Sequence, residues 1–114
     1  MLVDLDSRTI FISAIAIDLR KGFQKLADYA RANLGIDIYQ DQSCCVAFIN
    51  KTGKCLKVVG KKREQEIMFT IRLHSGRFQQ LPTMEQTSVF HRVSKETFLR
   101  YVQGSVIMTK RYRL

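Results

Sequence analysis

The chain has 114 residues, 46% of them hydrophobic, which is enough apolar material for one packed core and too little for two. Its longest apolar run, Ile10 to Leu19, is interrupted by Ser13 and Asp18 and falls short of the ~18 residues of a membrane span. Nineteen basic residues face ten acidic ones, and after position 43 the balance is fourteen to four, so residues 44–114 carry +10 while residues 1–43 sum to −1. A charge so lopsided attracts polyanions and makes nucleic acid the partner class to consider, although the same charge also serves solubility alone.

The segment Met1 to Asp6 carries acids where a secretion signal needs positive charge, so a cytoplasmic protein is expected. Arg8 to Ser13 is short, β-rich and almost continuously apolar, which predicts a strand buried on both faces inside a sheet. Leu19, Phe23, Leu26, Ala27, Ala30 and Leu34 then recur on one helical stripe, with Asp18 suited to the N-cap and Gly35 to a left-handed exit. The opposite face of this helix displays Arg20, Lys21, Gln24, Lys25, Asp28 and Arg31. It meets either phosphates or only water.

After a polar loop through Asp37 and Asp41, Cys44 to Asn50 predicts a strand, Lys51 to Lys54 a turn, and Cys55 to Val59 a second strand, together a hairpin signal. A charged link from Gly60 to Glu66 leads to a further strand, Ile67 to Leu73, whose alternation gives one core face and one wet face. Depending on register, Lys57 and Arg72 share an exposed face of the sheet. His74 to Arg77 is a turn, Pro82 interrupts regular structure, and Val89 to Val93 forms a short strand. Ser94 caps a second, shorter helix that contains Phe98, Leu99 and Val102 and ends at Gly104. The fold expected is therefore α+β, a mainly antiparallel sheet with one amphipathic helix packed across it and a shorter C-terminal helix, in a single domain over residues 1–104 with a basic tail over 105–114.

The strand Arg8-Thr9-Ile10-Phe11-Ile12, followed by Ile17-Asp18-Leu19-Arg20-Lys21-Gly22-Phe23, resembles a known opening. It is that of the small TnpB-type accessory proteins encoded by the second reading frame of insertion sequence 66-type transposable elements. That family opens with an arginine and an apolar strand, then an Asp-Met-Arg-Lys-Gly-Phe signature; Leu19 replaces the methionine. Leu34-Gly35, Val46 to Asn50, Gly53 with Leu56-Lys57, Arg72-Leu73, and Gly76-Arg77-Phe78 with Pro82 follow in the family's order. The chain departs from it at Gly60-Lys61-Lys62-Arg63, where the family usually has a Trp-Asp-x-x-Gly-like turn, and it contains no tryptophan. The resemblance implies a part in transposition beside a separate transposase, with no established catalytic residues to carry over.

Candidate chemistry is electrostatic. Asp18 to Gly22 sets two cations at a helix start, where amides also favour phosphate; an ordinary cap by Asp18 and close packing at Gly22 are the competing reading. Lys61-Lys62-Arg63 is a compact cation cluster on a turn, softened by Glu64 and Glu66. Arg77 precedes Phe78, which reads as a core anchor, and Tyr101 and Tyr112 beside Arg100 and Arg111 offer stacking surfaces for bases. Cys44, Cys45 and Cys55 are odd in number, and adjacent cysteines on a strand diverge, so neither a disulfide framework nor a zinc site is expected; His74 and His91 read as surface histidines. No nucleophile motif and no converging carboxylates are present, so no enzyme and no cofactor are expected. Arg20, Lys21, Lys57, Lys61, Lys62, Arg63, Arg72 and Arg77 are the expected nucleic-acid-binding residues of a non-enzymatic accessory factor that binds DNA or a transposase–DNA assembly. The alternative is an adaptor that contacts the transposase without touching DNA, and a homo-oligomer is left open.

Overall fold

All six residues of the strand Cys44–Ile49 are buried, and the architecture is layered around it. The computed structural model describes residues 8–78 and 90–103. Its strands are β1 (Thr9–Ser13), β2 (Cys44–Ile49), β3 (Cys55–Lys62), β4 (Gln65–Arg72) and β5 (Phe90–Val93), and its helices are α1 (Phe23–Tyr29) and α2 (Lys95–Val102). The five strands lie in the order β4-β3-β2-β1-β5. β1 runs parallel to β2, which requires a crossover, and α1 supplies it; the other three pairings are antiparallel. This is the expected α+β fold.

Strand alternation sends consecutive side chains to opposite faces, and here both faces are covered. On one face Cys44, Val46, Phe48, Cys55 and Val59 pack under Phe23, Leu26, Ala27, Ala30 and Leu34, the stripe read from the sequence. On the other, Ile10, Ile12, Cys45, Ala47, Ile49, Leu56 and Val58 meet Phe98 and Tyr101 of α2, together with Phe78. Cys44 and Cys45 thus enter different cores, and all three thiols are free and buried. Phe78 is the core anchor expected, its ring stacked on Tyr101 at 5.8 Å. That contact removes Tyr101, 1% exposed, from any base-stacking role.

The helix start differs from expectation. α1 begins at Phe23 with Gly22 as its cap residue, so Leu19 and Asp18 lie before it. The cause is tertiary: Ile17 N–H donates to Ile49 C=O at 3.1 Å, holding the chain across the end of β2, and Leu19 is buried from a turn rather than from a helix. A Cβ at Gly22 would meet nothing within 4 Å, so close packing does not explain that glycine. At its far end α1 runs on into a π-helical turn, Ala30–Leu34, closed by Gly35 in the expected left-handed conformation at φ 71°.

The charged link also differs. β3 continues to Lys62 and β4 begins at Gln65, so the turn is only Arg63-Glu64, with Arg63 at φ 57° and its N–H donating to Gln42 Oε1 at 2.6 Å. Charge did not end these strands because Lys62, Arg63, Glu64, Gln65 and Glu66 all remain exposed to solvent. α2 starts as expected at Ser94, whose Oγ accepts the Thr97 N–H at 3.1 Å. His74 is exposed, but His91 is half-buried and its Nε2 has no hydrogen-bond partner among the described residues, which corrects the surface reading. Among the described residues no helix is long and apolar enough to cross a membrane. Pro82, Val89, Gly104 and the 105–114 tail, with the domain boundary placed there, lie outside the described residues.

Phe48→Ala, at the junction of β2 with Tyr29 of α1, is expected to cost about 3–5 kcal/mol in urea unfolding. Burial raises the Cys44 and Cys45 thiols from 9.0 to about 11 and raises the Tyr101 phenol as well. Unfolded thiols ionise near 9 and folded ones near 11, so the stability tied to the protonated thiols is complete below pH 9 and lost as pH rises through 11. Urea midpoints between pH 8 and 11 check this; a flat profile would contradict it.

Candidate nucleic-acid interface

The helix layer leaves β4 uncovered, and cations gather beside it. Cys55 and Val59 of β3 are buried beneath α1, so Lys57 between them projects to the same side, and Arg72 of β4 lies directly opposite Cys55. Pairing partners share a face, which places Lys57 and Arg72 together on the helix side. This is the register on which their sharing a face depended. The segment pinned by Ile17 forms the opposite wall, and the β2–β3 turn closes the end. The result is an open cleft of about 450 Å³ lined by Asp18, Arg20, Lys51, Lys57 and Arg72 over the apolar floor of Ile17, Leu19 and Cys55.

Each wall is held by backbone contacts that the sequence supplies locally. Asp18 Oδ1 accepts the Arg20 N–H at 2.9 Å, closing a turn that presents both side chains to solvent. The Arg20 guanidinium grips the same carboxylate in a fork, Nε to Oδ1 at 3.0 Å and Nη2 to Oδ2 at 2.8 Å. These bonds from Arg20 hold the Asp18 carboxyl well below the usual range, and the same contact raises Arg20. Asn50 Oδ1 accepts the N–H groups of Lys54 and Cys55, both at 3.1 Å, which shapes the turn carrying Lys51.

Arg77 reaches this end from the other side of the turn. Gly53 sits at φ 77°, and a Cβ there would come within 3.2 Å of the Arg77 Cβ and Nε. Phe78 N–H donates to Gly53 C=O at 2.6 Å and Lys54 Nζ to Gly76 C=O at 3.0 Å, so the Gly76-Arg77-Phe78 segment is strapped onto the turn. Arg77 is exposed beside the cleft without lining it, and Lys21 is exposed on the approach to α1 and also lies outside its walls.

The Lys61-Lys62-Arg63 cluster is elsewhere. Lys61 lies four residues along β3 from Lys57, about 13 Å. Its Nζ stands 5.3 Å above the Tyr39 ring, and Glu66 is its partner on β4. Alternation sends Lys62 to the opposite face, so the three charges diverge. Of the eight expected residues, Arg20, Lys57 and Arg72 converge. Lys51 joins them unanticipated, because it reads as an ordinary turn residue until the β2–β3 hairpin is laid against the Asp18 turn. Arg31, in the π-helical turn, pairs with Asp28 of α1 at 3.1 Å, so the outer face of the helix is less basic than its composition implies.

Four cations and one carboxylate thus line one open cleft over an apolar floor. Lys side chains offer compact point charges there and Arg side chains a planar fork. Among the described residues no group of three or more His, Cys, Asp or Glu is placed to hold a metal ion.

Comparison with known protein families matches residues 8–111 to the family described as IS66 Orf2 like protein. No curated protein and no solved structure matches the chain.

Asp18 is expected to remain ionised well below pH 3.8 when its carboxyl resonance is followed by NMR, and Arg20→Ala to move its titration upward part of the way, because the backbone N–H at position 20 still donates to Asp18 Oδ1. An Asp18 titration unchanged by Arg20→Ala would contradict the fork as its cause.

Proposed function

Because this chain belongs to the IS66 Orf2 like family, a family of accessory proteins of insertion-sequence transposition, we propose that it serves transposition by holding DNA through its phosphate backbone without transforming it. The observation that carries this reading is the convergence of Arg20, Lys51, Lys57 and Arg72, drawn from four separate segments, on one open cleft. Bringing like charges together costs free energy, and a bound polyanion offsets that cost while releasing its own counterions. The binding is sequence-tolerant: ammonium and guanidinium groups meet phosphate oxygens, and no described aromatic is free to stack on bases at the cleft. Selection of the element's ends then falls to the transposase, with this protein contributing affinity and position. Arg77 and Lys21 extend the basic rim, and Lys61, Lys62 and Arg63 contribute only separate, weaker charges.

Fluorescence anisotropy with a duplex of the element ends and a random duplex, over a range of salt, tests the proposal. Similar affinities for the two and a steep linear fall of log K with log salt are expected. Neutralising Lys51, Lys57 and Arg72 together should flatten that slope by about 3, close to one unit per lost contact. Neutralising Lys61, Lys62 and Arg63 should remove less, because those side chains diverge. Salt-independent binding, or none, overturns the reading.

A further inference from the structure

We propose that the outer edge of β4 is a self-pairing surface, on which a second copy of this chain adds its own β4 antiparallel to form a continuous ten-stranded sheet. β4 is eight residues long and pairs on one side only, with β3, among the described residues. Sheet edges are commonly protected by proline, a bulge or a central charge. This one has none of these, since its register against β3 is unbroken and Ile67-Met68-Phe69-Thr70-Ile71 carries no charge. Met68 is 42% exposed, and Ile67, Phe69 and Ile71 are only half-buried.

The hydrogen-bonding groups select the register. Leu73 N–H donates to Lys54 C=O at 2.9 Å, and in an antiparallel ladder bonded and non-bonded pairs alternate. The odd-numbered residues of β4 therefore turn their amides toward β3, and Glu66, Met68, Thr70 and Arg72 turn theirs outward. A two-fold axis through Phe69 joins these outward groups as Glu66 with Arg72 and Met68 with Thr70. Ile67 meets Ile71 and Phe69 meets Phe69 in the non-bonded pairs. The charges are then complementary at both ends of the seam. Neither Glu66 nor Arg72 has an ion-pair partner among the described residues, so both are available.

Such an axis is perpendicular to the sheet, so both α1 helices lie on the same side. The two clefts then open on the same side of the sheet, with the Lys57 positions about 16 Å apart, three strand spacings across and two residues along. The Glu66 of each copy takes one charge from the other's cleft. The pairing itself does not rest on DNA binding, and it is tested without nucleic acid.

Analytical ultracentrifugation of the full chain, nuclease-treated, should give a concentration-dependent mass rising to twice that of the monomer. Met68→Pro removes an outward N–H and no bond to β3, and should give a cooperatively folded monomer. Should that variant not fold, Glu66→Arg should weaken dimerisation roughly tenfold, and adding Arg72→Glu should restore it. Phe69→Cys should cross-link under mild oxidation, because a non-bonded antiparallel pair sets its Cα atoms about 4.5 Å apart, whereas Met68→Cys should not. A wild-type chain that stays monomeric at every concentration, that pairs only with transposase, or that cross-links through Met68→Cys instead overturns the proposal.

Discussion

Burial of β2 on both faces is the constraint on which the molecule depends. Its six residues are closed off by α1 on one side and by Phe78 and α2 on the other, so every neighbouring strand inherits a fixed sidedness. A slip of one residue would carry Phe48 into the wrong core and lift Lys57 away from solvent. Because β3 is locked to β2 from Cys45–Gly60 to Ile49–Leu56, and β4 to β3 in turn, that sidedness reaches Arg72 three strands from β1.

The same constraint explains why a basic cleft exists at all. α1 is short, seven residues before its π-helical turn, and covers the sheet only over β1 to β3. The helix-side face of β4 lies outside that cover, and the sequence places Glu66, Met68, Thr70 and Arg72 there, all exposed. The Asp18 turn crosses this gap because Ile17 is bonded to the end of β2. Asp18 thereby changes role, from helix cap to the partner that holds Arg20 in place.

Exposure of β4 has two consequences that follow from one geometry. Its helix-side face supplies Arg72 to the cleft, and its outer edge pairs with no other strand among the described residues. In the proposed dimer the edge would set two clefts side by side, each giving up its Arg72 charge to the Glu66 of the other copy.

By itself the sequence determined the α+β class, the apolar stripe of α1, the left-handed Gly35, the hairpin around Gly53, the Ser94 cap and the separation of Cys44 from Cys45. Each of these is written in a period of two or of about 3.6, or in a residue needing a special φ. Composition likewise carried the basic excess, and short motifs carried the family. The tertiary structure alone decided that Arg20, Lys51, Lys57 and Arg72 meet while Lys61, Lys62 and Arg63 part. Convergence depends on strand order, on register and on where a helix ends, and these are set by which apolar faces bury one another. Charges that are neighbours in the chain alternate across a strand. Charges fifty residues apart come together because Phe48, Leu26 and Ile17 have nowhere else to go.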